Sequence, residues 1–277
     1  METFRVACVQ SNVVFGNVKA NADFVCEYIQ ALKGEVDLVL FPECALTGYC
    51  VNNAEAAEKI AVCLDPLDEN LERIGEVSMR ANITTVIGAA EVREGKIFNS
   101  AVIFEAGRVP KVYRKTHLPF MGLDRFATPG ADLPIYELAS GVKLGILICF
   151  DMRFPEAARS LALKGADILL IPTNWPEGAE VSADHICIAR AAESRVFVMA
   201  ANRVGVENGF TFLGRSKIIH PTGKILAQAG SEPVTILAEL DLAEARTKRT
   251  VTIPGEYETD VFEPRRTDIY TCGTEAQ

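Results

Sequence analysis

What the 277-residue chain lacks narrows its chemistry first. It has only three histidines, His117, His185 and His220, and no His-Glu-x-x-His pair, so a helix-borne zinc site is not indicated. None of its eight cysteines forms a Cys-x-x-Cys pair, which removes zinc ribbons and thioredoxin-like redox motifs. There is no EF-hand loop and no phosphate-cradling glycine loop, and the glycines at Gly205 and Gly209 do not fit the dinucleotide fingerprint. Neither a metal nor another cofactor is therefore expected. Basic residues are few, 28 against 37 acidic, for a net charge of -9. That balance argues against nucleic acid and against an anionic membrane surface as partners. The longest apolar runs, around Val36 to Phe41 and Leu144 to Phe150, are strand length, far short of the roughly 20 residues a bilayer span needs. The start, Met-Glu-Thr-Phe-Arg-Val, has no basic n-region, so no signal peptide and a cytoplasmic protein are expected. In that setting the thiols are expected to be reduced.

What is present is an ordinary globular composition, 49% hydrophobic and 23% charged, long enough to bury a large core. Strand and helix patterns alternate. Phe4 to Gln10, Val36 to Phe41, Thr84 to Glu91, Asn99 to Glu105, Val142 to Ile148, Asp167 to Ile171 and Val196 to Asn202 read as strands. Asn17 to Lys33, Asn70 to Ala81, Phe154 to Lys164 and Ser182 to Arg195 carry helical spacing. Val109 to Tyr113 looks like the hairpin partner of the strand before it. Strand–helix–strand recurs in both halves, which suggests pseudo-repetition. No low-complexity linker divides the chain, so a single α/β domain is expected. The one long loop, Leu118 to Pro134, is of the kind that often carries function. Residues 247–277 are polar and irregular, and read as a tail lying on the surface or on a partner subunit.

Ligands of α/β folds bind at the carboxyl ends of strands. Three apolar strands deliver a carboxylate, an amine and a thiol there: Glu43, Lys115 and Cys149. Cys149 stands at a strand-to-helix turn, where nearby backbone N–H groups favour a thiolate and the next residue, Phe150, can offer its N–H to an oxyanion. Its other reading is a small core residue. Glu43, after Pro42, is either a general base at the edge of an apolar pocket or a solvated loop carboxylate. Lys115, in Tyr-Arg-Lys-Thr-His, is either a fixed positive charge beside an oxyanion or one of a solvated basic cluster. His117 offers a Cys–His alternative for activating Cys149, against a purely structural role.

These residues carry a family likeness. Leu38 to Tyr49 (Leu-Val-Leu-Phe-Pro-Glu-Cys-Ala-Leu-Thr-Gly-Tyr), Val112 to Leu118 (Val-Tyr-Arg-Lys-Thr-His-Leu) and Leu147 to Glu156 (Leu-Ile-Cys-Phe-Asp-Met-Arg-Phe-Pro-Glu) resemble the glutamate, lysine and cysteine motifs of the nitrilase superfamily, the carbon–nitrogen hydrolases. Pro-Thr-Asn-Trp (Pro172 to Trp175), Arg-Ala-Ala-Glu (Arg190 to Glu193) and Gly-Arg-Ser-Lys-Ile-Ile (Gly214 to Ile219) match in the same order. The resemblance implies a four-layer α-β-β-α sandwich and a homo-oligomer. It also implies Glu43 as general base, Lys115 as transition-state stabiliser and Cys149 as nucleophile through a thioester. The run after Cys149 is closer to the amidase branches than to true nitrilases, which implies a small-molecule amide substrate. N-carbamoyl compounds, nitriles, acyl transfer and a non-catalytic binding role stand as alternatives.

One departure matters. Family amidases carry a second glutamate before an aromatic and Pro-Gly segment in the loop after the lysine. Here the loop reads Gly-Leu-Asp-Arg-Phe-Ala-Thr-Pro-Gly (Gly122 to Gly130). Counting back from Pro129 places that glutamate on Leu123, with Asp124 one residue off. Either Asp124 takes the role, positioning Lys115 or substrate, or the role is missing. Arg153 is read as pairing with Glu156 or binding a substrate carboxylate, and Asp151 as capping the following helix. Asn174 and Trp175 are read as pocket residues or as packing at a strand end.

Overall fold

The computed structural model describes residues 3–270. The first half runs β1 (Phe4–Gln10), α1 (Val18–Ala31), β2 (Leu38–Leu40), α2 (Ala54–Ile60), β3 (Val62–Cys63), α3 (Glu69–Ala81), β4 (Thr84–Arg93), β5 (Lys96–Phe104) and β6 (Lys111–Arg114). The second runs β7 (Ile135–Glu137), β8 (Lys143–Ile146), α4 (Pro155–Leu163), β9 (Ile168–Thr173), α5 (Cys187–Ser194) and β10 (Phe197–Asn202). A hairpin, β11 (Val204–Glu207) and β12 (Phe210–Leu213), then precedes β13 (Lys217–Ile219), β14 (Ile225–Gln228) and β15 (Val234–Leu240). The chain continues through α6 (Ala243–Arg246), β16 (Arg249–Ile253) and β17 (Tyr257–Asp260).

Two sheets result. One has the order β15-β1-β2-β4-β5-β6, with β3 on β4, and the other β14-β13-β10-β9-β8-β7. Each has three parallel strands at its centre, β1-β2-β4 and β8-β9-β10, extended by antiparallel neighbours. The pseudo-repetition of the sequence is thus a repeated strand order.

Side-chain alternation explains the layering, because neighbouring residues on a strand face opposite sides. Val6, Cys8, Leu38, Leu40 and Val86 join the cluster that also holds Ile146, Leu170, Val198 and Ile218 of the second sheet. Ala7, Val9, Val39 and Ile87 join instead Val25 and Ile29 of α1 and Leu71, Ile74 and Val77 of α3. Ala158 and Leu161 of α4, and Cys187 and Ala191 of α5, cover the outer side of the second sheet. The layers run helices, sheet, sheet, helices.

One element is added and two local readings are corrected. Helix α2, capped by Asn53 accepting from Ala56 N at 2.8 Å, falls in a stretch to which the sequence patterns assigned no element. Its short apolar stripe, Ala57 and Ile60, is too brief to stand out by periodicity. Ser182 to Arg195 is not one α-helix, since Ser182–Ile186 is a turn of π-helix leading into α5. The polar C-terminal stretch is not irregular throughout: β16 and β17 pair as an exposed hairpin. Residues 271–277 of that stretch lie outside the described residues. The seven described cysteines are all free thiols. Among the described residues no helix is long and apolar enough to cross a membrane.

Candidate active site

Glu43 follows β2, where Pro42 ends the strand. The chain then turns tightly against β4: Leu46 N donates to Gly88 O at 3.1 Å and Gly88 N to Pro42 O at 3.2 Å. This approach needs a glycine, since a Cβ on Gly88 would lie 2.4 Å from Cys44 N and 2.7 Å from the Glu43 Cα. Lys115 follows β6. Two successive antiparallel pairings, β4 with β5 and β5 with β6, bring the end of β6 to the same edge as the end of β2. The Lys115 backbone is held on both sides, its N–H donating to Asn99 O and its carbonyl accepting from Gly130 N, both at 2.8 Å. Gly130 lies so close to Arg114 that a Cβ there would be 2.2 Å from its carbonyl oxygen.

Around Lys115 the side chains form a closed polar cluster. Its Nζ donates to Glu43 Oε1 at 2.8 Å and to Asp124 Oδ2 at 2.5 Å. Asn99 Nδ2 bridges the same carboxylates, donating to Glu43 Oε1 at 2.7 Å and Asp124 Oδ1 at 2.8 Å. Tyr49 OH donates to Asp124 Oδ2 at 2.9 Å. All five residues are buried. Asp124, on a short 3₁₀ turn at Gly122–Arg125, therefore reaches Lys115 despite its one-residue offset in sequence. Two consequences follow from counting bonds. One of the three ammonium hydrogens has no acceptor among the described residues, and Glu43 Oε2 has no partner.

Burial pushes the Glu43 carboxyl above its usual range and the Asp124 charge adds to this, while Lys115 and Asn99 pull it back. For Lys115 burial works against the ammonium, but Asp124 and Glu43 outweigh it and hold the amine protonated. The cluster is a fixed cation flanked by two carboxylates, one of them poised to carry a proton.

Cys149 comes from the other sheet, at the end of β8. Its φ is +45°, a left-handed conformation that non-glycine residues rarely adopt and that tends to mark functional turns. It begins a 3₁₀ turn, Cys149–Arg153, and Pro155 then opens α4. Burial pushes the thiol up to about 12, helped by the Glu43 charge; Lys115, the Thr173 hydroxyl and the Asn174 N–H pull the other way. The thiol is thus kept neutral beside a base and a cation.

Two buried side chains fix the turn. Asp151 does not cap α4, as expected from sequence. It accepts instead from Ile148 N at 3.0 Å, Tyr113 OH at 2.7 Å, Thr116 Oγ1 at 2.9 Å and His117 N at 2.8 Å. It therefore ties the cysteine turn to the lysine segment. Arg190 donates to Met152 O at 2.9 Å and Arg153 O at 3.3 Å, which gives the Arg-Ala-Ala-Glu motif its structural use. His117 sets its Nδ1 against Asp151 at 2.8 Å and stacks on Phe154 at 3.9 Å between ring centres. It makes no hydrogen bond to Cys149, so the Cys–His alternative loses its geometry.

Cys149 opens onto a cavity of about 350 Å³ whose wall includes Phe120, Phe150, Arg153, Trp175 and Ser182. Arg153 forms no ion pair with Glu156. Among the described residues its guanidinium has one long contact, 3.4 Å to Ser182 Oγ. Trp175 is anchored by Asn202, whose Oδ1 accepts from its N–H at 2.8 Å. Of the four residues expected at the substrate, Arg153 and Trp175 line this cavity, while Asp124 and Asn174 are buried and do not line it. Among the described residues both ends of the Asn174 amide lack partners. A larger cavity, about 570 Å³, lies at the opposite edge, by Phe4, Asp37 and Thr84 at the strand starts, and holds none of these groups.

Sequence reading missed Asn99 as a site residue. Its signal was a lone amide inside the apolar strand pattern Ile97 to Phe104, where a buried polar group must find a partner. Tyr49 stood in a quoted motif without a role.

The family model described as carbon–nitrogen hydrolase matches residues 5–250. A Schizosaccharomyces pombe protein described as a probable nitrilase is 34% identical over 274 residues, covering 96% of each chain. A Bacillus subtilis 2-oxoglutaramate amidase is 32% identical over 274 residues, covering 96% of this chain and 98% of its own. Among solved structures, a Saccharomyces cerevisiae member of branch 10 of the nitrilase superfamily superposes with a TM-score of 0.78 at 26% identity, covering 88% of this chain and 92% of its own.

Proposed function

From the premise that the chain belongs to the carbon–nitrogen hydrolase family, we propose that it hydrolyses a small amide through a thioester on Cys149, with Glu43 and Lys115 completing a catalytic triad. The observation that carries this reading is the pair of unused valences in a sealed cluster: one Lys115 ammonium hydrogen and Glu43 Oε2. Everything else there is satisfied, so these two groups remain for a reacting substrate.

In this mechanism Glu43 Oε2 takes the thiol proton as the sulfur attacks the amide carbon. The oxygen that becomes negative is held by the free Lys115 hydrogen and the Phe150 N–H, each such donor being worth about 3–4 kcal/mol. Glu43 returns the proton to the nitrogen, the C–N bond breaks, and ammonia or an amine leaves. Water then attacks the thioester. Glu43 accepts a water proton and passes it to the departing sulfur, so the cycle consumes one amide and one water.

Arg153 supports a substrate with a carboxylate at its far end, because its guanidinium lines the cavity with no anionic partner among the described residues and would pair with one. A relative named for 2-oxoglutaramate, a monoamide of a dicarboxylic acid, supports the same class. We further propose a homo-oligomer in which the C-terminal hairpin packs on a partner, since Val251, Ile253 and Tyr257 are about half exposed. Sedimentation as a monomer would remove that proposal.

The test is ammonia release by wild type and Cys149→Ala on dicarboxylic acid monoamides, aliphatic amides, N-carbamoyl amines, N-carbamoyl amino acids and nitriles. Release by wild type alone, greatest on the monoamides, is expected. Equal release by both proteins would exclude Cys149 as nucleophile, and silence of both across the panel would favour a binding role.

A further inference from the structure

The cluster around Lys115 contains two carboxylates and one cation, and the carboxylates differ. Both Asp124 oxygens are engaged, Oδ1 by Asn99 and Oδ2 by Lys115 and Tyr49. Only one Glu43 oxygen is engaged, and it takes both Lys115 and Asn99. Lys115 and Asn99 create this asymmetry together, and Asn99 is the uncharged member of the pair. Its amide nitrogen has two hydrogens, and each goes to a different carboxylate. The orientation of that amide is fixed, because reversing it would turn Oδ1 toward two anions. As placed, Oδ1 faces the Cys44 thiol, which donates to it at 3.7 Å.

Asn99 is also positioned with unusual completeness. It is fully buried in β5, opposite Ala90 of β4, and its carbonyl accepts the Lys115 N–H. One residue thus holds the lysine by its backbone and both carboxylates by its side chain.

We propose that Asn99 is a positioning residue for the reaction: by tying Glu43 Oε1 to Asp124, it leaves Glu43 Oε2 as the single oxygen that exchanges protons with Cys149. This deepens the proposed function and rests on that reading of Cys149 and Glu43. Without the Asn99 amide the Glu43 carboxylate is free to turn, its two oxygens become equivalent competitors for Lys115, and the charged form loses a hydrogen bond. The base is then both misaligned and harder to ionise.

Alkylation of Cys149 by iodoacetamide tests this without knowledge of the natural substrate. The sulfur forms a bond to the methylene carbon, iodide leaves, and the thiol proton passes to Glu43 Oε2. The rate is followed against pH in wild type, Asn99→Ser and Asn99→Asp, with the labelled site read by mass spectrometry and folding by thermal melt. Wild type is expected to label at Cys149. Asn99→Asp, which replaces the donor by a third carboxylate, is expected to label at least about tenfold more slowly at neutral pH, with the rising limb moved up by about one pH unit or more. Asn99→Ser is expected to move the limb in the same direction by less, and it carries the test if the aspartate variant does not fold.

A merely structural asparagine would lower the melting temperature and leave the limb in place. Unchanged rate and limb in the folded variants would overturn the inference alone. Absence of labelling at Cys149 in wild type would overturn the nucleophile assignment, and the inference with it.

Discussion

The two sheets have one strand order and opposite chemistry. At the carboxyl edge of the first stand Glu43, Lys115 and Asn99, charged or polar, with no measurable exposure to speak of and mutually bonded. At the same edge of the second stand Cys149, Phe150 and Trp175, facing an open cavity of about 350 Å³. Each sheet leaves its strand through a left-handed residue, Cys44 at φ +48° and Cys149 at +45°. The shared topology fixes where reactive groups can stand. The residues in the turns decide that one sheet holds the charge and the other holds the thiol and the cavity wall. The separation has a physical reason: a cation with two anions needs enclosure to act strongly, whereas a thiol proposed as nucleophile must be reachable.

The sharpest way to break this division is to remove the one group that crosses it. Cys149→Ala should lower turnover by at least about 10³-fold while the melting temperature stays within a few degrees, because no bond in the charged cluster depends on the sulfur. Ammonia release and calorimetry on the same sample check both halves.

Lys115→Met attacks the first sheet. Two buried carboxylates would face each other without a cation, and breaking a buried ion pair in this way typically costs about 3–5 kcal/mol. Chemical denaturation should show that loss, and activity should vanish with it. Gly88→Ala acts on the same region without touching a charge. Its Cβ would meet Cys44 N at 2.4 Å, so the turn carrying Glu43 must shift, at an expected cost of about 3 kcal/mol.

Glu43→Gln sharpens the comparison by pH. The amide keeps an acceptor for Lys115 and Asn99 but carries no charge. Because the Glu43 carboxyl is raised by burial, its contribution to stability is full below the ordinary glutamate range and is lost as pH rises through the raised value. The glutamine variant should therefore match wild type in acid and melt higher than wild type at neutral pH and above, while inactive. A melting difference that shrinks with rising pH would contradict the charge assignment.

The smallest expected effect lies in the second sheet's wall. Arg153→Ala should raise KM about tenfold or more for carboxylated amides and leave uncharged amides almost unaffected. Equal losses on both would move the arginine out of substrate recognition.

Much of this was legible in the sequence because it is written in local patterns. Apolar strands ended by Pro42, or passing into the turn at Cys149, announce reactive strand ends. The ordered motifs bring Glu43, Lys115 and Cys149 forward together as candidates. What was not legible depended on contacts across long separations. Asp124 appeared misplaced by one residue, yet the 3₁₀ turn at Gly122–Arg125 delivers its carboxylate to Lys115. Asp151 was read as a helix cap because its nearest backbone neighbours suggested one, while its side-chain partners other than Ile148 N lie 34 to 38 residues away. Arg153 sat at the right spacing to pair with Glu156 on a helix, but a 3₁₀ turn precedes α4 and breaks that register.

The sequence by itself determined the strand and helix periodicity, the acidic balance, and which residue types stand at the ends of the buried strands. These follow from side-chain chemistry and spacing along one chain. Only the tertiary structure decided that Asn99 joins two carboxylates, that Glu43 keeps one oxygen free, and that Arg153 faces the cavity unpaired. Hydrogen bonds of a buried group are shared out among whatever neighbours the fold brings within about 3 Å, and those neighbours come from segments that the linear order does not place side by side.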